Sequence, residues 1–132
     1  MPQFSQSSLD KLTQCDPRLQ NLFKRIVEKY DCTILVGFRD EANQDKAYKT
    51  GHSQLPWPQS LHNQNPSLAV DVAPYPLNWN DKDRFYHFGG YVQGVAETVG
   101  LKIRWGGDWN DNRDLHDQKL FDLVHFEIVE YA

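Results

Sequence analysis

The chain holds only two cysteines and one methionine in 132 residues. Cys15 and Cys32 form no CxxC pair, and a small secreted disulfide scaffold carries more cysteines than this, so two reduced thiols in or near the core are expected. No apolar run is long enough to span a bilayer, and the start, Met1-Pro2-Gln3-Phe4-Ser5-Gln6, has neither the basic nor the apolar segment of a secretory leader. The expected product is made in the cytoplasm, without membrane insertion. Positive charge is also scarce and scattered: 14 Lys and Arg stand against 18 Asp and Glu, for a net charge of -4. Lys24-Arg25 is the one adjacent basic pair, most simply a solvated helix face. Without a basic stripe, nucleic-acid binding is disfavoured. Internal repeats and low-complexity linkers are missing too.

What is present suits one domain over residues 1–132. Apolar residues make up 39% and aromatics 13%, enough for a core around one sheet and a few helices. A mean hydropathy of -0.69 predicts a modest core with long polar loops. Asp16-Pro17 is an N-cap acid followed by proline at the first helical position, and Leu19, Leu22, Phe23, Ile26, Val27 and Tyr30 form one apolar stripe behind it. Thr33–Val36 reads as a buried strand, and Asp40 can cap a helix that ends near Thr50-Gly51. Residues 52–66 form a long loop leading into a strand over Leu68–Ala73. Asn80 can cap a further helix with Phe85, Phe88, Val92, Val95 and Val99 on one face and Gly100 as its stop. Gly89-Gly90 inside it implies close packing against another element. A strand over Lys102–Trp105, a polar loop from Gly106 to Gln118 and a strand from Val124 to Tyr131 follow; the order expected is ααβαβαββ, one helix more than the seven elements given bounds. The fold expected is a small α+β domain, with an antiparallel or mixed sheet flanked by helices.

Three residues in this pattern are of metal-ligand type. If Val70 and Val72 face the core on a period-2 strand, Asp71 points the other way with Ala69 and Ala73. On the last strand Val124, Phe126 and Ile128 share one face, and His125 and Glu127 the other. His62 lies in the preceding loop. Two imidazoles and one carboxylate suit zinc, which in catalytic sites takes three protein ligands and keeps a fourth position for water. Taken singly, a histidine in a strand or an aspartate after a valine is more often structural, and no HExxH helix is present to settle the matter.

Resemblance adds to this reading. Ser60-Leu61-His62-Asn63, the run Ala69-Val70-Asp71-Val72-Ala73-Pro74-Tyr75-Pro76, Trp105-Gly106-Gly107-Asp108-Trp109 and Asp122-Leu123-Val124-His125-Phe126-Glu127 together resemble the phage L-alanyl-D-glutamate peptidases. These are zinc metallopeptidases of the D-Ala-D-Ala carboxypeptidase and dipeptidase type, with a hedgehog/DD-peptidase-like fold. The resemblance extends upstream through Gly37-Phe38-Arg39 and Gln44. The chain departs from the common pattern in placing Asp71 nine positions after His62 rather than seven, which reads as a subgroup loop. Residue by residue, the resemblance implies Zn2+ on His62, Asp71 and His125, with Asp122 as general base and acid. It implies Arg39 facing the developing oxyanion or a substrate carboxylate. Ser60 can donate to substrate or fix its loop, and Asp108 can contact substrate or orient a ligand histidine. His52, His87 and His116 match nothing and default to solvated or structural roles. The function implied is that of an endolysin, acting as a monomer on the peptidoglycan stem peptide after release from the host cytoplasm and cutting the L-Ala–D-Glu bond. A D-Ala-D-Ala carboxypeptidase or dipeptidase and a catalytically inactive zinc-stabilised binding module are the alternatives. The acid at Asp122 separates an enzyme from a module.

Overall fold

In the computed structural model, which describes residues 2–115 and 122–130, two helices precede the first strand. Helix α1 (Gln6–Leu12) has no signature in the apolar pattern, because seven residues give fewer than two turns of 3/4 repeat. Ser5 caps it by accepting the Ser8 N–H, and Ser8 Oγ accepts the Ile34 N–H at 3.1 Å, which ties the helix to the sheet. Helix α2 (Pro17–Val27) begins as its sequence predicts. The Asp16 side chain accepts the Arg18 N–H, and Leu19, Leu22, Phe23, Ile26 and Val27 are buried. Tyr30 lies beyond the helix end and packs on Phe88 and Tyr91 at ring separations of 5.0 and 5.2 Å.

Strand β1 (Cys32–Val36) is followed by helix α3 (Glu41–Lys49), capped by Asp40 and closed by Gly51 at φ 80°. Strand β2 (Ala69–Pro74) and strand β3 (Ile103–Gly106) each sit one residue later than the apolar pattern indicates. Helix α4 (Lys82–Thr98) is capped by Asp81, not Asn80, because the Asp81 carboxylate reaches the Arg84 N–H while Asn80 belongs to a turn closed by Asn78. Its buried face is Phe85, Phe88, Gly89, Val92 and Ala96. Val99 falls past the last turn and is 45% exposed, and Gly100 stops the helix at φ 73°.

Strand β4 (Asp122–Ile128) begins two residues before the predicted start, since Gly106 pairs with Asp122 across a register shift, and it ends at Ile128. The predicted end at Tyr131, and His116, Asp117 and Gln118 of the preceding loop, lie outside the described residues. The sheet is antiparallel throughout, in the order β1-β2-β4-β3. Its two central strands, β2 and β4, carry the register Val70↔Phe126 and Asp71↔His125. Val70, Val72, Phe126 and Ile128 join the main core with Phe23, Ile26, Phe88 and Val92. Edge-to-face contacts of Phe126 with Phe23 and Phe88, at 5.6 and 6.1 Å, fix where the helices lie on the sheet. Val124 packs instead in a smaller cluster with Ala73 and Phe85. All six residues of β2 are buried, so Asp71 lies on a covered face rather than a solvated one. Both cysteines are free and buried. Burial, helped by nearby carboxylates, pushes each thiol up to about 12, so both stay protonated and inert.

Candidate metal centre

The antiparallel register that sets Asp71 opposite His125 brings two of the three metal-type residues side by side. The third arrives from a single turn of 3-10 helix, Leu61–Asn63, inside the long loop. Ser60 shapes that turn: its Oγ accepts the His62 N–H at 3.2 Å, and its own N–H donates to Asn63 Oδ1 at 3.1 Å. Ser60 is 6% exposed, which places it as the cap of the turn that carries His62. The nine-residue spacing still delivers His62 to Asp71, with Nε2 to Oδ1 at 3.1 Å.

His62, Asp71 and His125 are each buried, and one ligand-type atom from each lies within 4.8 Å of the others. The imidazole rings meet edge to face at 5.1 Å. His125 Nδ1 stands 3.3 Å from Asp71 Oδ1. The far nitrogens are both held: His62 Nδ1 donates to the Gly37 carbonyl at 2.9 Å, and His125 Nε2 donates to Glu127 Oε1 at 2.8 Å. Those bonds fix the ring orientations and leave His62 Nε2 and His125 Nδ1 aimed at Asp71, as a metal site requires. The donor set, two nitrogens and one carboxylate oxygen, fits zinc with an open fourth position.

The charges of this cluster are strongly coupled. The Asp71 carboxyl is buried, which by itself opposes ionisation, but His62 and His125 together hold it well below the usual carboxylate range. Burial would depress His125, yet its bonds to Asp71 and Glu127 push it up to about 10. Asp122, at the start of β4, is raised chiefly by burial and then by the charge of Asp71, against the opposing pull of His125, His62 and Arg39. Its carboxyl thus shares one electrostatic environment with all three metal-type residues.

Arg39 leaves β1 toward the same point. Its guanidinium lies 3.8 Å from Asp71 Oδ2, and Nη1 donates to Gln44 Oε1 at 3.1 Å. Gln44 is completely buried on α3. It also accepts from Asn63 Nδ2 and donates to Ser53 Oγ and the Leu55 carbonyl, so one amide joins Arg39, the His62 turn and the loop beyond α3. The sequence leaves Gln44 without a role, because burial is invisible in the mostly polar α3. Glu127 is missed as well, although period-2 alternation already places it on the face of His125. Asp108 is 1% exposed and accepts the backbone N–H groups of Asn112 and Arg113, which pins the turn after β3. Trp109 brings its ring to 5.3 Å from that of His125. His52 and His87 bond to Thr50 and Tyr30, away from the cluster, and His116 lies outside the described residues.

A family model described as phage L-alanyl-D-glutamate peptidase matches residues 1–129. The L-alanyl-D-glutamate peptidase of Escherichia phage T5 is 32% identical over 134 aligned residues, covering 96% of this chain and 97% of the relative. In fold, the chain is similar to the crystal structure of Serratia marcescens L-Ala D-Glu endopeptidase ChiX, with a TM-score of 0.74 and 24% identity, covering 96% of this chain and 89% of that one. A family match running nearly end to end, over a chain whose fold brings His62, Asp71 and His125 together, leads to one conclusion: this chain belongs to the phage L-alanyl-D-glutamate peptidase family.

Proposed function

We propose that this protein is a zinc-dependent endopeptidase that hydrolyses the L-Ala–D-Glu bond in the stem peptide of bacterial peptidoglycan. The observation that carries the reading is the buried His62–Asp71–His125 cluster, built in a chain of this family with both far nitrogens already anchored. His62 Nε2, Asp71 Oδ1 and His125 Nδ1 would hold the ion. Bound zinc supplies Lewis acidity at the scissile carbonyl and lowers the pKa of water beside it.

The chain's own groups do the rest. Asp122 accepts the proton of the attacking water at its carboxylate and returns it to the leaving D-Glu amine. Its raised pKa moves it toward the range in which one group can do both. Arg39 turns a permanent positive charge toward the cluster, where negative charge develops on the carbonyl oxygen. Gln44 holds that guanidinium in place, and Ser60 fixes the turn that carries His62. Asp108 braces the loop that lays Trp109 against His125.

Mass spectrometry of peptidoglycan digested by the zinc-loaded protein tests the reading. New peptides beginning with D-Glu are expected, and release of D-Ala alone from intact stems would overturn it. Asp122→Ala should lower kcat by about 10²–10⁴-fold while bound zinc and fold remain. Turnover near wild type in that variant would remove Asp122 from the mechanism.

A further inference from the structure

Beside the cluster, on the other side of Arg39, lies a cleft of about 520 Å3 from which the mechanism uses only Arg39 itself. Its floor is the end of β1 and the residues after it, through Gly37 to Arg39. One wall is a face of α3 at helical spacing, formed by Asn43, Lys46, Ala47 and Thr50, and the other is the end of α1, with Lys11 and Gln14. The floor is fixed from the α1 side. Gln14 Oε1 accepts the Phe38 N–H at 3.1 Å, and a Cβ on Gly37 would stand 2.2 Å from the Lys11 carbonyl. Among the described residues the cleft is lined by Lys11, Arg39 and Lys46 and by no aspartate or glutamate, in a chain whose net charge is -4. Among the described residues neither lysine is in an ion pair.

We infer that this cleft is the subsite for the carboxylate-bearing leaving half of the stem peptide. The inference rests on the function proposed above and follows from the substrate's charge distribution. On the acyl side of the L-Ala–D-Glu bond the lactyl carboxyl is consumed as an amide and the sugars are neutral. On the leaving side, D-Glu keeps a free α-carboxylate, and the diamino acid and D-alanine after it add further carboxylates. Negative charge therefore lies on one side of the scissile bond only, and so does the cationic cleft beside the cluster. Arg39 lines the cleft and also lies 3.8 Å from Asp71, so a chain leaving the metal centre passes it first. Lys46, exposed on α3, and Lys11, half-buried on α1, then meet the carboxylates beyond D-Glu.

The test compares two soluble substrates with the zinc-loaded enzyme. One is a disaccharide carrying L-Ala–D-Glu–m-DAP–D-Ala, and the other is an acyl-L-Ala–D-Glu amide that ends at D-Glu. The Lys11→Gln/Lys46→Gln double variant should raise KM for the long substrate by about tenfold, as two partly exposed charge contacts would. Its kcat should stay at the wild-type value, and KM for the short substrate should not move. Salt should raise the wild-type KM for the long substrate and have a much smaller effect on the variant. Lys46→Glu, on the exposed wall, gives the same reading with a larger rise should Lys11→Gln disturb folding. Wild-type cleavage at L-Ala–D-Glu with an unchanged KM and salt dependence in these variants overturns the subsite alone. Failure of the wild type to cut either substrate overturns the functional reading and the subsite with it.

Discussion

Two adjacent glycines in α4 should respond to the same substitution with opposite sign. A Cβ on Gly89 would lie 2.2 Å from Cε2 and Cζ2 of Trp105. Carbon atoms pack at about 3.5–4.0 Å, so ring or helix must retreat by roughly 1.3 Å, the difference between 3.5 and 2.2 Å. The ring has little room to move. It is 1% exposed, a Cβ on Gly107 would stand 2.4 Å from the same Cζ2, and its Nε1 donates to the Leu123 carbonyl at 2.9 Å. Overpacking of this kind costs ~1–3 kcal/mol, and loss of the indole hydrogen bond adds about 1 kcal/mol. Relief of glycine's backbone entropy returns only ~0.5–1 kcal/mol. Gly89→Ala should therefore destabilise the protein by about 1–3 kcal/mol, or roughly 3–15 °C in Tm for a domain of this size. At Gly90 a Cβ would meet nothing within 4 Å, so Gly90→Ala should stabilise by ~0.5–1 kcal/mol. Urea unfolding of both variants beside wild type, with equal m-values, is the assay. A Gly89→Ala variant as stable as wild type, or a shift of both variants in the same direction, would refute the steric conflict with Trp105.

Removing Glu127 as Glu127→Ala strips the acceptor from His125 Nε2, and zinc affinity should fall by about 10–100-fold in a chelator competition. An unchanged affinity would show that the bond does not position the ligand. Arg39→Lys cannot keep both the Gln44 bond and the approach to Asp71, so kcat should fall more than KM rises. A change confined to KM would make Arg39 a substrate anchor. Zinc binding at pH 7 should release about one proton, because His125, raised to about 10, is an imidazolium that must lose its proton before it can ligate. Calorimetry in two buffers of different ionisation enthalpy reads the number, and no release would contradict the charge state described.

Local chemistry made much of this protein legible in its sequence. Asp16-Pro17, Asp40 and Gly100 mark helix ends because capping depends on a few neighbouring atoms. The alternation on β2 and β4 put Asp71 and His125 on strands with their apolar neighbours in the core, and the resemblance named them with His62 as the metal set. Tertiary structure decided what depends on residues far apart in the chain. The pairing of Asp71 with His125 is a register between strands some fifty residues apart, and period-2 alternation says only which face a side chain takes, not its partner. Burial of both faces of β2 turned Asp71 from an outward acid into a desolvated one. The anchors on His62 and His125, the buried amide of Gln44 and the cationic cleft shared by α1 and α3 arise only when separate elements close on one point. Composition and spacing report which groups a chain owns, whereas their distances are set by packing.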